Sequence, residues 1–152
     1  MSLDLLAYRS AVMSQAQALG VFEQVLGHEP VSAPGSGLIY AVWVTRVAPI
    51  PAGSGVAAGT GRLELAGRVF MPADTEPQND VDIAVTSAVD QLISALFADF
   101  TLGDTIRNVD VLGAHGTPLS AAFGFTRFDS TTYRVATLTV PLIINDLWTE
   151  AP

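Results

Sequence analysis

His28 and His115 are the two histidines of the chain, so a Ser-His-Asp triad or a histidine-bearing metal site has to be built on one of them. Both lie in loops punctuated by glycine and proline, and neither belongs to a G-x-S-x-G elbow or an H-E-x-x-H helix. His28-Glu29 is a bare pair, and adjacent side chains do not converge on one ion without a special backbone. Structural hydrogen bonding is the simpler role for it. Asp74 with Glu76, and Asp80 with Asp82, are near-neighbour carboxylates that acid–base catalysis can use, but helix capping and solvation explain them with fewer demands. There is no cysteine, which removes disulfides, zinc–thiolate sites, iron–sulfur clusters and thiol nucleophiles.

Gly53-Ser54-Gly55-Val56-Ala57-Ala58 matches the letters G-x-G-x-x-A of a dinucleotide-binding turn. That motif needs a strand before it and a helix after it, so that pyrophosphate meets the helix N-terminus. Here prolines precede and a strand follows. The chain has no lysine, which excludes a Walker A loop. No cofactor and no metal is therefore expected, and no catalytic residue is assigned.

The 152 residues fit one domain. Seven arginines against fifteen carboxylates leave a net charge of -8, which repels a phosphate backbone and argues against nucleic-acid binding. Charged residues make up 14% of the chain, where soluble domains carry about 25%. With 49% hydrophobic residues and a mean hydropathy of +0.41, the surface lacks the groups that normally solvate it. Other subunits are expected to cover it. No uncharged apolar run reaches the ~18 residues of a bilayer span, and no basic segment precedes an apolar one at the N-terminus, so a soluble, unexported protein is expected.

A first helix is expected with Ser2 as cap and Asp4 in its first turn, its apolar face formed by Leu5, Tyr8, Val12, Ala16 and Leu19, ending at Gly20. Val21–Leu26 is a short apolar element, followed by a loop to Gly37. Leu38–Val47 reads as a strand apolar on both sides, with both sides expected to be covered. Arg62–Met71 alternates, with Leu63, Leu65, Val69 and Met71 inward and Arg62, Glu64 and Arg68 outward. Between these strands, Pro49–Gly61 is a thirteen-residue, uncharged tip with four glycines. A second helix, capped by Asn79 or Asp80, runs to about Ala98. A short strand near Asn108–Leu112 precedes a hairpin with arms Leu119–Phe128 and Tyr133–Ile144 about a turn at Asp129–Thr132. Pro141 marks an edge or bulge. Trp43 is assigned to the core. Trp148 lies past the last strand, docked on its own domain or on a neighbour. The class is α+β: a mainly antiparallel sheet of about five strands with two helices on one face and a long β-hairpin loop, the other face left to meet something else.

Several strings, in this order, give the chain a family likeness: His28-Glu29-Pro30, Ala33-Pro34-Gly35-Ser36-Gly37-Leu38, Val42-Trp43-Val44, Phe100-Thr101-Leu102-Gly103, Arg107-Asn108-Val109-Asp110 with Leu112-Gly113, Tyr133-Arg134-Val135, and Asn145-Asp146-Leu147-Trp148. The chain resembles the tail terminator family of long-tailed bacteriophages, in particular minor tail proteins of phages that infect actinobacteria. The likeness spans nearly the whole chain and rests on co-occurrence of these strings, none of which is a chemical motif. It implies a virion protein, assembled in the host cytoplasm, that forms a hexameric ring on the head-proximal end of the tail tube. Such a ring ends tube polymerisation and meets the head connector, while DNA passes through it without specific binding. Its partners are then its own copies, the tail tube protein and the head–tail connector protein, with no membrane.

On that reading the tip carrying Gly53, Ser54, Gly55, Val56 and Gly59 is the element that docks on the tube, because an uncharged loop can order on contact. Arg46, Arg62 and Arg68 are the candidates for charge-assisted hydrogen bonds to carboxylates on a neighbouring ring or subunit, and Trp148 is a candidate interface anchor. Two other readings stand beside it. One is another ring-forming tail component, such as a tail tube or head–tail joining protein. The other is a small soluble enzyme, whose mark would be a concave pocket holding His28 or His115 beside a carboxylate.

Overall fold

The computed structural model describes residues 3–51 and 58–149. It has the expected α+β class: two helices on one face of a six-stranded, mostly antiparallel sheet. Helix α1 (Leu5–Ala18) is capped by Asp4, whose carboxylate accepts the Ala7 N–H at 3.2 Å, while Ser2, the expected cap, lies outside the described residues. Val12 and Ala16 on its apolar face are buried. It stops at Gly20, which takes the left-handed conformation (φ 71°).

Strand β1 (Gln24–Leu26) is the sixth strand, absent from the expected five, and it runs parallel to β2 (Ile39–Ile50). The loop between them makes the crossover and is pinned by the Tyr133 hydroxyl, which donates to the Gly35 carbonyl at 2.7 Å. Strand β3 (Ala58–Pro72) pairs with β2 and, on its other side, with the long strand β6 (Thr131–Thr149). The ladder includes Pro49↔Gly61 and Ile50↔Thr60, so the thirteen-residue tip is shorter than its composition implies. Glycine and proline did not break these strands, because β3 is held on both sides. Helix α2 (Val81–Ala98) follows a single 3-10 turn at Gln78–Asp80, and Asp80 precedes it without a side-chain cap.

Strands β4 (Asn108–Val109) and β5 (Ser120–Phe128) share the far side of β6. Pro141 occupies the gap between them, neither on an edge strand nor at a bulge. Its carbonyl accepts from Asp110 N–H on that side, so its missing N–H falls where no ladder bond is needed. The turn from β5 to β6 is the two residues Asp129–Ser130, with Asp129 at φ 53°.

The main core lies between the helices and the sheet, where Val85, Leu92 and Leu96 of α2 meet Leu63, Leu65 and Leu138. By length and composition the span Gln78–Ala98 could cross a membrane, although it carries Asp80, Asp82 and Asp90; here one side of it packs on the sheet. The opposite sheet face does not lie bare. It holds Ile39, Ala41, Phe70, Tyr133 and Val135, and the rings of Phe70, Phe128 and Tyr133 meet at tilted and edge-to-face angles. Beyond Val42, however, β2 loses its cover: Val44 and Val47 are exposed, against the expectation that both its faces are covered.

Candidate functional site

Two places in this fold concentrate side chains that can bind. The first is at the base of the β2–β3 arm. Arg46, Ala48, Pro49 and Ile50 of β2, Arg62 and Glu64 of β3, and His115–Thr117 line a pocket of about 180 Å³. Arg62 is 4% exposed, which overturns its assignment as an outward residue free to reach a neighbour. Its guanidinium donates to Glu64, to the Thr117 carbonyl and, from Nε, to Asp110 Oδ2 at 3.3 Å. Burying this charge is tolerable because every arm of the fork meets an acceptor.

Asp110 is the other half of the lock. Its carboxylate accepts the backbone N–H of Ala114 at 2.8 Å and of His115 at 3.0 Å, which folds the loop after β4. Burial opposes its ionisation, but those two N–H donors and Arg62 outweigh burial and hold the carboxyl below its ordinary value. His115 lines the same pocket as Glu64 and reaches Asp110 only through its backbone N–H, and both carboxylates are committed to Arg62. His28 is exposed elsewhere, in the loop after β1. Among the described residues, no three His, Asp or Glu side chains converge as a metal set.

The other sequence candidates are dispersed. Arg46 is exposed at the pocket rim. Arg68 is half-buried over its own sheet: it lies 5.4 Å from the Trp43 ring centre and 5.9 Å from that of Phe70, and Nε donates to Thr137. Trp148 is not past the last strand but inside β6, half-buried opposite Gly59. A Cβ on Gly61 would fall 3.1 Å from its ring atoms and 2.6 Å from Leu147 Cδ2, so glycine makes room for Trp148 to dock on its own chain. Gly59 is thus a strand residue. Gly53, Ser54, Gly55 and Val56 lie outside the described residues.

The second place escaped the sequence reading. Strand β5 pairs only with β6 among the described residues, and its Phe123 and Phe125 are exposed. Arg134 of β6 is paired opposite Phe125, and its guanidinium carbon is 4.7 Å from the Phe125 ring centre and 5.7 Å from that of Phe123. Arg134 Nε also donates to Asp82 at the start of α2, at 2.7 Å, which holds the aromatic pair in place. The alternation Phe123, Phe125, Arg127 was visible in the sequence. That β5 would end the sheet was not. No protein-family model matches the chain, and no curated protein is similar enough to count as a relative.

Proposed function

We propose that the chain is the subunit of a hexameric ring that caps the head-proximal end of a bacteriophage tail tube, ends its polymerisation and joins the tail to the head connector. The observation that carries this reading is apolar surface in need of cover. Four of the seven phenylalanines (Phe97, Phe100, Phe123 and Phe125) are exposed, together with Ile83, Val44 and Val47, on a chain short of charge. Such a surface fits a subunit that spends its working life between copies of itself. An acidic ring also lets DNA slide through without retention. Ending growth is then a matter of binding: one face matches a tube subunit and the opposite face does not. Arg46 in the outer part of β2 and the tip beyond the strand are the parts of this reading that reach the tube. Electron microscopy of the purified chain tests it. Six-membered rings are expected, and open-ended tubes of indefinite length would assign the chain to the tube itself.

A second reading, a small soluble enzyme, rests on the pocket that both His115 and Glu64 line. It would require His115→Ala to abolish a measurable turnover while the chain stays folded.

A further inference from the structure

The sheet ends in two edges. On one side is β5, nine residues without lysine or proline and with Arg127 as its one charge, so it lacks the usual guards against edge pairing. On the other is β2 beyond Ala41, where β1 stops. The direction of the backbone groups follows from the ladder. Arg107 and Asp110 N–H donate to the carbonyls of Ile143 and Pro141, so odd-numbered residues of β6 turn their polar groups toward β4 and β5. Even-numbered residues of β5 sit opposite these and bond to them. Ala121, Phe123, Phe125 and Arg127 therefore present their N–H and C=O groups to the free edge.

The same reasoning applies to β2. Glu23 N–H donates to the Leu38 carbonyl on the outer side, which sets even residues outward as far as Val44. A bulge between Val44 and Arg46 then shifts the phase. Val44 and Val47 lie opposite Leu65 and Leu63, so they are spaced as alternate residues and both point their polar groups outward. Their side chains share the helix-bearing face with Leu63 and Leu65. Phe123, opposite the core residue Ala136, lies on that same face. Two exposed apolar residues with outward backbone thus stand at each edge, at equal spacing and on one side of the sheet.

We propose that copies join edge to edge, β5 of one copy pairing with β2 of the next, with Phe125 opposite Val44 and Phe123 opposite Val47. This deepens the ring reading and rests on it. Within one copy β2 and β5 run in opposite directions, since β3 and β6 intervene by antiparallel steps. Repeating one rotation therefore brings β5 against β2 antiparallel at every junction, the head-to-tail contact a closed ring needs. Pro49, which has no N–H to offer at the next outward position, ends the ladder there.

The chain has no cysteine, so engineered thiols report contacts cleanly. Copies carrying Val47→Cys and copies carrying Phe123→Cys are expected to form disulfide-linked pairs on mixing, and the double variant a covalent ladder up to the ring. Phe125→Pro removes one outward N–H and is expected to leave folded single copies in sedimentation. If the wild type forms rings, their persistence in Phe125→Pro, or the absence of a mixed disulfide between Val47→Cys and Phe123→Cys copies, would overturn the edge pairing and leave the ring reading standing. A stable particle of two copies would put β5 against β5 of the second copy and overturn it as well. A wild-type chain that sediments as a single copy would sink both.

Discussion

Arg62 of β3 is tied to Asp110, 48 residues further along the chain, and this pair closes the loop after β4 onto the sheet. Removing the carboxylate in Asp110→Ala leaves a buried guanidinium one partner short and two backbone N–H groups without an acceptor. A loss of about 3–5 kcal/mol is expected in urea unfolding, on the scale of a broken buried ion pair.

The same carboxylate sets an acid limit. Its folded-state value lies below the ordinary carboxylate range, so the unfolded chain takes up the proton first as pH falls. The stability it contributes is fully present above about pH 4, the ordinary aspartate value, and is lost as pH drops through the lower folded value. Unfolding midpoints measured across that range are expected to fall steeply for the wild type and less steeply for Asp110→Ala.

Gly67 accommodates Tyr40. A Cβ at this position would fall 2.8 Å from Tyr40 Cζ and 2.9 Å from Cε1, inside the core. Gly67→Ala is expected to cost about 1–3 kcal/mol through overpacking. Combining it with Tyr40→Leu should recover part of that loss, and a double-mutant cycle measures the coupling.

How far the fold could be read from the sequence depended on whether the cause was local. Val81, Val85, Ala88, Leu92 and Leu96 recur at helical spacing, and they form the buried face of α2. The long strands announce themselves through β-branched and aromatic residues. Arg62 was misread because alternation places it with Glu64 and Arg68, while its partner Asp110 arrives through tertiary structure. Trp148 was misread because Asn145-Asp146 resembles a strand end. In the fold Asp146 takes φ 54° and the strand continues to Thr149, held by the extended β3. The aromatic pair on β5 is plain in the sequence, but its exposure depends on which strand ends the sheet, and that is a property of topology.

Salt separates two ways in which copies can hold together. Each carries a net charge of -8, so copies repel one another, and added salt screens that repulsion. If edge pairing and apolar contact drive assembly, rings are expected to persist or strengthen as sodium chloride rises from about 0.05 to 0.5 M, several times shorter in Debye length. Dissociation over that range would instead favour arginine–carboxylate contacts, for which exposed Arg46 is the best placed.

The most direct measurement is the mass and shape of the purified full chain in solution, by sedimentation together with negative-stain images. The account expects a closed ring of several copies, six by the family likeness. A lone, well-behaved 15.9 kDa particle that stays single at high concentration would contradict it.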